Sequence, residues 1–312
     1  MPRNYRSAAG TSRRRDISRT VTDEIIAQLE KGSVPWVRPW DCRHAAIGLP
    51  YNAASRRRYS GINILTLWNA AASRGFSGQG FLTFRQAAEL GGTVRRGERG
   101  TAIVYARQFP GTDRGSRTAE AEGEAAKSFS ILRTFTVFST DQCDGLPEQI
   151  TITPEAATSD AILPEAAALI AATGADFRIG GPNAFYDPVR DFVAVPPPDA
   201  FHEAINWHRT AFHELAHWTG HRSRLNRDQS EAFGSAAYGQ EELVAEMAGA
   251  FVCAALDIRP TVRHADYIGS WLAILKEDHR AILRAASAAS RASDYLLALA
   301  DEGHLSASAQ YP

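Results

Sequence analysis

The run His213-Glu-Leu-Ala-His217 constrains this chain more than any other part of its sequence. Residues at positions i and i+4 of an α-helix face the same way, so a helical run would place both imidazoles beside one cation, with Glu214 close to a water on that cation. Zinc suits this arrangement, because its catalytic sites use three protein ligands and leave a fourth position for water. The run therefore predicts a helix that carries two Zn²⁺ ligands and a general base.

The residues around this run favour a buried site. Over residues 207–220 a helix would be apolar on most sides, with one stripe formed by Trp207, Ala211, Leu215 and Trp218. His213, Glu214 and His217 would then be buried polar groups, which need partners. A lone core histidine usually bonds to a carboxylate, but the complete triplet favours a metal site over that interpretation.

The third ligand is expected from outside this helix. In metzincins the run continues to a third histidine, whereas Ser223 occupies that position here, and the only methionines are Met1 and Met247. His221 is a weaker candidate, because it follows Gly220, where the helix should end.

Residues 240–256 predict a second, largely apolar helix on which Glu242 and Glu246 share one face. One carboxylate can complete the metal site, and the other can fix the tautomer of a ligating imidazole. By similarity to zinc peptidases with a glutamate ligand on a second helix, we assign Glu242 to the metal and Glu246 to the imidazole. The reverse assignment, or Glu241 as ligand, stays open. An acidic first turn stabilised by the helix dipole would explain Glu241, but not Glu246 among apolar residues.

A complete site of this kind predicts peptide-bond hydrolysis. A single Zn²⁺ would polarise the carbonyl and lower the pKa of water, and Glu214 would take the proton and deliver it to the leaving amine. The sequence identifies no residue that stabilises the oxyanion, because Tyr238 and His221 are near only along the chain.

Charge divides the chain into two halves. Residues 1–150 contain 22 Lys and Arg against 14 Asp and Glu, whereas residues 151–312 contain 12 against 21. A basic half joined to an acidic half indicates a polyanion-binding module attached to a different one. The three cysteines form no CxxC pair, and neither a secretory signal nor a membrane span is visible. These features predict a soluble, cytoplasmic protein without a membrane partner.

Hydrophobic periodicity predicts both helices and strands. In the first half the expected helices and paired strands cover 16–31, 61–74, 83–90, 102–109 and 128–140. In the second half, besides the two helices above, the expected helices and short strands cover 164–173, 177–179, 184–186, 191–195, 267–285 and 289–300.

Arginines and aromatic residues alternate through the basic half. Proteins that bind single strands combine a positive groove with aromatic side chains on which bases stack, so this composition suits single-stranded DNA. Most of the aromatics should still lie in the core. The candidate DNA contacts are Trp36, Arg38, Trp40, Arg56, Arg57, Arg58, Tyr59, Arg85, Arg95, Arg96 and Arg99.

Motifs in both halves resemble one known family. Those of the first half are Gly48-Leu-Pro-Tyr-Asn52, Tyr59-Ser-Gly-Ile-Asn-Ile-Leu-Thr-Leu-Trp68, Phe81-Leu-Thr-Phe-Arg-Gln86, Gly91-Gly-Thr-Val-Arg-Arg-Gly-Glu-Arg-Gly100 and Val137-Phe-Ser-Thr-Asp-Gln-Cys-Asp-Gly-Leu-Pro147. They resemble the N-terminal single-stranded-DNA-binding domain of ArdC-type antirestriction proteins, which also begins TraC-type plasmid primases. Arg99 replaces the usual lysine of the fourth motif and keeps its charge.

The motifs of the second half are Phe212-His-Glu-Leu-Ala-His-Trp-Thr-Gly-His221, Arg224-Leu-Asn226, Tyr238-Gly-Gln-Glu-Glu-Leu-Val-Ala-Glu246 and Tyr267-Ile-Gly-Ser-Trp271. They resemble the zincin-like metallopeptidase domain that follows in the same family. The resemblance implies an α+β fold, with a mixed α/β DNA-binding domain before a mostly helical zincin-like domain with a small sheet. The expected boundaries are a disordered basic tail over 1–15, the DNA-binding domain over 16–147, a linker over 148–164 and the metallopeptidase domain over 165–312.

The resemblance also implies a function. It describes an antirestriction protein of a mobile element such as a conjugative plasmid, which binds single-stranded DNA and carries a zinc peptidase site of the gluzincin type. Its other partner would be a protein or peptide substrate, such as restriction machinery. Two alternatives stay open: a protective single-strand-binding protein whose metal site is structural or inactive, and an accessory of a plasmid primase system. No Asp-rich polymerase constellation is visible, which disfavours primase activity in this chain.

Overall fold

The structure, a computed structural model, describes residues 17–36, 48–109, 129–151, 159–229, 235–258 and 267–308. The basic tail predicted over residues 1–15 lies outside these residues, as do Arg38 and Trp40. The described part confirms the predicted α+β class, since a mixed α/β part is followed by a mostly helical part with a small sheet.

The first part of the chain combines helices with a four-stranded sheet of order β1-β2-β5-β4 and a two-stranded β3–β6 pair. Its elements are α1 (Ile17–Glu30), β1 (Tyr51–Asn52), α2 (Ile62–Arg74), β2 (Gly80–Leu82), α3 (Phe84–Glu89), β3 (Thr93–Val94), β4 (Thr101–Phe109), β5 (Phe129–Ser139) and β6 (Cys143–Asp144). β1 runs parallel to β2, and the other pairs are antiparallel. The predicted paired strands correspond to the long β4–β5 hairpin.

Local side-chain bonds explain two features of this part. The helix predicted over 83–90 begins with a capping box at Thr83, because Gln86 N–H donates to Thr83 Oγ1 (3.2 Å) and Thr83 N–H donates to Gln86 Oε1 (3.0 Å). On the outer edge of β4, Asn63 Nδ2 donates to the Val104 carbonyl and Val104 N–H donates to Asn63 Oδ1, both at 2.8 Å. Asn63 therefore satisfies backbone groups that an edge strand would otherwise leave open.

The second part is mostly helical. Its elements are α4 (Glu148–Thr151), α5 (Ser159–Ala172), β7 (Asp176–Ile179), β8 (Phe185–Asp187), β9 (Phe192–Val195), α6 (Ala204–Trp218), α7 (Ala236–Ala255), α8 (Ile268–Glu277) and α9 (Ala281–Ser308). The three strands form a sheet of order β7-β9-β8, against which α6 packs. Leu169, Val193, Phe212 and Leu215 are buried in this layer, so the apolar stripe predicted for α6 is its packing face.

Two segments differ from the sequence prediction. The linker predicted over 148–164 contains α4 at its start and the first turns of α5 at its end, while residues 152–158 lie outside the described part. The break between the last two helices lies at Asp278, whose carboxylate accepts the Arg280 N–H at 2.8 Å. The alanine-rich run after this break contains no helix breaker, so α9 continues through residues 285–289.

The two halves share one hydrophobic core. Trp36, which follows α1, contacts Trp271 of α8 edge-to-face with ring centroids 5.4 Å apart, and Trp68 of α2 contacts Phe251 of α7 at 5.6 Å. At the start of α2, Gly61 N–H donates to Ser290 Oγ of α9 at 2.7 Å. Residues from both charge halves therefore lie in one packed unit. Among the described residues, every helix is too short or too polar to traverse a lipid bilayer.

Candidate metal centre

Helices α6 and α7 bring three donor groups together. Glu242 Oε2 lies 3.5 Å from His213 Nε2, and Glu242 Oε1 lies 3.5 Å from His217 Nε2. One donor atom from each residue lies within 4.8 Å of the other two. His213 and Glu242 are buried, and the His217 side chain is 12% exposed.

This donor set fits a divalent transition metal. Two imidazole nitrogens and one carboxylate oxygen are the ligands of many catalytic zinc sites, with bonds of about 2.0–2.2 Å. Tetrahedral ligands at that distance lie about 3.3 Å from one another, close to the two separations of 3.5 Å. The three residues would need only small shifts to hold one ion.

A further carboxylate faces the outer nitrogen of each imidazole. Glu246 Oε1 lies 3.4 Å from His213 Nδ1, and Glu241 Oε1 lies 3.3 Å from His217 Nδ1. Such contacts hold a ligating imidazole in one orientation and one tautomer. Glu246 therefore lies beside His213, and Glu241 has the equivalent position beside His217.

Glu241 is itself held by the loop that follows α6. Arg227 donates to its carboxylate from Nη2 (2.8 Å) and Nε (3.0 Å), and also to the Ala216 carbonyl at 2.6 Å. Gln229 Nε2 donates to Glu241 Oε1 at 3.0 Å and to the His217 carbonyl at 2.7 Å. Sequence reasoning missed both residues. The available signal was the neighbouring motif Arg224-Leu-Asn226, which had no assigned role.

Gly220 leaves room for the two side chains that bind Glu241. A Cβ atom at this position would lie 2.4 Å from Gln229 Nε2 and 2.9 Å from an Arg227 guanidinium nitrogen. A side chain here would displace both residues that bind Glu241.

Charge pairing controls the protonation of the cluster. Burial opposes ionisation of His217 and Glu241, but their mutual hydrogen bond, together with Glu242 and Arg227, outweighs it. The pKa of His217 is raised to about 10 and that of Glu241 is lowered to about 2. At Glu242 burial by itself would raise the pKa of the carboxyl. Hydrogen bonds with the imidazoles of His213 and His217 outweigh burial and hold that pKa well below its usual range. Glu242 is thus a carboxylate at neutral pH.

Glu214 lies between two cavities. The first, of about 420 Å³, is lined by His213, Glu214, His217 and Glu242 together with Tyr186 and other residues of β8 and α7. The second, of about 570 Å³, lies under the loop 181–184 and includes Glu214 on its wall. Among the described strands, β8 is at the edge of its sheet, on the side of the first cavity.

Tyr238 and Tyr267 also line the first cavity, beside the donor groups. The Tyr238 and Tyr267 hydroxyl oxygens are 3.3 Å apart. Burial, the bond to Tyr267 and a bond to Glu242 raise the pKa of Tyr238, so its hydroxyl stays protonated. His221 points elsewhere, with Nδ1 2.8 Å from Ser223 Oγ and 3.7 Å from Asp191.

Arg224 connects the loop after α6 to strand β8. Its guanidinium binds both carboxylate oxygens of Asp191 and lies 3.9 Å above the Trp218 ring. Tyr186 of β8 donates its hydroxyl hydrogen to Asp191 Oδ1 at 2.9 Å. The cavity wall formed by β8 is therefore held relative to α6 by a partly buried polar network.

The residues predicted to contact DNA differ in how far they are exposed to solvent. Trp36 is fully buried against Trp271, so we correct its prediction: it cannot stack on a base in this conformation. Tyr59 is half-buried, and burial raises its pKa. The arginines of the described set are exposed: Arg56, Arg57, Arg58, Arg85, Arg95, Arg96 and Arg99.

Some of these arginines already have partners. Arg85 forms an exposed ion pair with Glu89 (2.7 Å). Arg95 pairs with Glu98 (2.9 Å) and Asp144 (3.2 Å).

Two protein families match the chain. The family described as "Zincin-like metallopeptidase" matches residues 164–288, and the family described as "N-terminal domain of anti-restriction factor ArdC" matches residues 15–138.

Solved structures are similar over nearly the whole chain. The metal-free crystal structure of the antirestriction protein ArdC from the R388 plasmid has a TM-score of 0.76 and 39% identity, covering 92% of this chain and 98% of that one. The Mn(II)-bound structure of the same protein has a TM-score of 0.74 and 39% identity, covering 91% of this chain and 98% of that one.

Relatives of different length are also similar. An uncharacterised protein of Sinorhizobium fredii, y4eC, is 38% identical over 288 residues, which is 90% of this chain and 91% of that protein. Two DNA primases named TraC from Escherichia coli are 38% and 35% identical, each over 89% of this chain. The chain spans only 27% and 20% of the length of these primases.

Proposed function

The chain belongs to the family of ArdC antirestriction proteins, and we propose that its second half is a zinc-dependent peptidase in which Glu214 is the general base. The observation that carries this proposal is the meeting of His213, His217 and Glu242 in a cavity that Glu214 also lines. The match to zincin-like metallopeptidases and the Mn(II)-bound ArdC structure support a divalent metal there.

In this mechanism His213, His217 and Glu242 would hold the metal, while Glu246 and Glu241 would orient the two imidazoles. When bound there, the ion would supply Lewis acidity, which polarises a carbonyl and lowers the pKa of water. Glu214 accepts the proton of the attacking water and delivers it to the leaving amine. Tyr238 keeps a neutral hydroxyl in the same cavity and can donate a hydrogen bond to the oxygen on which negative charge develops.

The shape of the cavity favours an extended peptide as substrate. Strand β8 is at the edge of its sheet among the described strands, and Ala184, Phe185 and Tyr186 line the cavity. An extended peptide can add to such an edge through backbone hydrogen bonds. The scissile carbonyl would then lie between β8 and the three donor residues.

For the first half we propose single-stranded DNA as ligand. Its surplus of eight basic charges, 22 against 14, supports a polyanion, and its match to the ArdC N-terminal domain supports DNA. The proposed contacts are Arg56, Arg57, Arg58, Arg85, Arg95, Arg96 and Arg99, with Arg38 and Trp40 outside the described residues. The corresponding domains would be 16–147 and 165–312, after a basic tail over 1–15 and joined by 148–164.

The biological role follows from the two activities. The protein would accompany mobile DNA into a new host, bind it as a single strand, and cleave a protein of the host restriction machinery. Protection from restriction in cells that express the Glu214→Gln form tests whether cleavage matters to this role.

The direct test compares the wild type with Glu214→Gln, and with Glu203→Gln as a matched control on the exposed start of α6. Glu214→Gln should keep about one zinc ion per chain but lower cleavage of denatured casein by about 10²–10⁴-fold, the usual contribution of a general base. Glu203→Gln should behave as wild type. Equal cleavage by the Glu214→Gln form would remove Glu214 from the mechanism. Bound zinc with no cleavage by any form would favour a structural metal site.

A further inference from the structure

The β4–β5 hairpin carries two large aromatic side chains in solvent. Tyr105 is 58% exposed and Phe135 is 46% exposed, with ring centroids 6.4 Å apart in an edge arrangement. Arg133, directly opposite Tyr105 in the strand register, is also exposed. We call Tyr105, Phe135 and Arg133 the hairpin platform.

The register places the platform on one face of the hairpin. Ile103 is paired with Phe135 and Tyr105 with Arg133, and directly paired residues project from the same side of a sheet. Earlier on this face, Thr101, Ile103 and Val137 are buried against the core. The face therefore passes from the core into solvent, and its exposed end is aromatic and cationic.

The net charge of this part of the chain indicates the chemistry of a partner. Residues 48–109 and 129–147 contain ten arginines, no lysine and four carboxylates. Three of the carboxylates, Glu89, Glu98 and Asp144, are in ion pairs with arginines. A surplus of arginine in the part of the chain that exposes these rings, with Arg133 directly beside them, is complementary to a polyanion that carries its own aromatic rings.

A single strand fits this surface better than a duplex or a protein. Bases can stack on a protein ring only when they are unpaired, and such stacking tolerates any base sequence. A stable protein interface needs about 800 Å² from each partner, far more than two rings expose.

We propose that the hairpin platform stacks one or two bases of single-stranded DNA, with Arg133 contacting the adjacent phosphate. This site rests on the proposed function of the basic half and adds residues that the interleaved arginines and tryptophans of the sequence did not single out. Trp36, which sequence patterning favoured as a stacking residue, is in the core.

The test uses the full chain and a fluorescein-labelled 20-nucleotide oligo(dT), with binding followed by anisotropy at fixed salt. The double variant Tyr105→Ala/Phe135→Ala should bind at least about tenfold more weakly, since each stacked base is worth about 5- to 150-fold in affinity. The aromatic exchange Tyr105→Phe/Phe135→Tyr should restore binding to near wild type. Both double variants change the same two exposed residues, so each should fold. Unchanged circular dichroism and Tm would show that each variant is folded.

Phe84→Ala is the matched control. Phe84 is 60% exposed and contacts Phe138, which projects from the opposite face of β5 to Phe135. Removing the Phe84 ring should change the affinity for the oligonucleotide by less than about twofold. A loss as large as that of the double variant would overturn the assignment to this face.

Arg133→Gln separates stacking from charge. It should reduce the slope of log affinity against log salt by about 0.7, the value for one phosphate on a single strand. The double aromatic variant should leave that slope unchanged.

The remaining outcomes distinguish the two proposals. If wild type does not bind the oligonucleotide, the proposed DNA function fails and the platform with it. If wild type binds and the double variant binds equally well, only the platform is wrong. Equal weakening of binding to a 20-base-pair duplex would also overturn base stacking.

Discussion

Arg227 supports the proposed metal centre from outside the His-Glu-x-x-His run. It binds the carboxylate of Glu241, which bonds to His217 Nδ1, and the side chains of Arg227 and Glu241 are about 10% exposed. A buried carboxylate that loses a cationic partner changes orientation or protonation. The orientation of His217 therefore depends on a residue ten positions further along the chain.

Arg227→Met should weaken zinc binding by about 10–100-fold, the usual effect of removing a group that orients a ligand. It should also lower the free energy of unfolding by about 3–5 kcal/mol, because Glu241 would lose a buried ionic partner. Zinc affinity by competition with a chromophoric chelator, and urea unfolding, measure the two effects. Arg222→Met, an exposed arginine of the same loop, is the control. Wild-type zinc affinity in the Arg227→Met form would show that His217 is oriented without this network.

At the scale of elements, the position of β8 relative to α6 defines the cavity. β8 supplies the wall of the cavity, and α6 supplies the two histidines and Glu214. The bonds between Arg224, Asp191 and Tyr186 connect the two elements across the cavity wall. The strength of these bonds should therefore affect both the free energy of unfolding and the retention of an extended substrate.

Asp191→Asn should lower the free energy of unfolding at pH 7 by about 1–3 kcal/mol, because hydrogen bonds to an ionised group are lost. The bonds from Arg224, which outweigh partial burial, hold the pKa of Asp191 below its ordinary 3.8. A lowered pKa in the folded state stabilises the protein above the ordinary value, and that contribution is lost as pH falls through the lower one. The stability difference between wild type and variant should hence be constant above about pH 5 and shrink below about pH 4. Urea unfolding at a series of pH values measures it, and a difference that does not depend on pH would contradict the assignment.

At the scale of the whole molecule, the charge division and the packing division do not coincide. The chain changes sign near residue 150, yet Ile25, Leu29, Trp36 and Trp68 lie in the same core as residues of α7, α8 and α9. Trp36 packs on Trp271, and the Trp271 ring stacks on the ring of Tyr267 with centroids 6.3 Å apart. Tyr267 in turn lines the first cavity. Deleting the first half would expose this core, so surface variants are the appropriate test of its role.

Trp36→Ala should cost about 3–5 kcal/mol, the usual loss for a buried tryptophan. Because the core is shared, the variant should lower the Tm of one transition that includes both halves, whereas Phe84→Ala should leave it within about 1–2 °C. Differential scanning calorimetry, with near-ultraviolet circular dichroism as a second probe, checks this expectation. Two separate transitions, of which only the first shifts, would mean that the halves unfold independently.

Local patterns were sufficient for much of this protein. The i, i+4 spacing of His213 and His217 implies a shared face on any helix, because that face is a property of helix geometry alone. The same holds for the cap at Thr83 and for the alternation along the β4–β5 hairpin. The α+β class follows from such segments taken in order.

Only the tertiary structure decided which groups meet. Glu241 and Glu242 are adjacent on α7 and differ by about 100° in direction, so the rotation of α7 against α6 determines which one faces both Nε2 atoms. The role of Arg227 depends on a loop folding back over α6, and the burial of Trp36 depends on α8, more than 230 positions further along the chain. Sequence spacing specifies directions within one element, whereas contacts between elements depend on how all of them pack together.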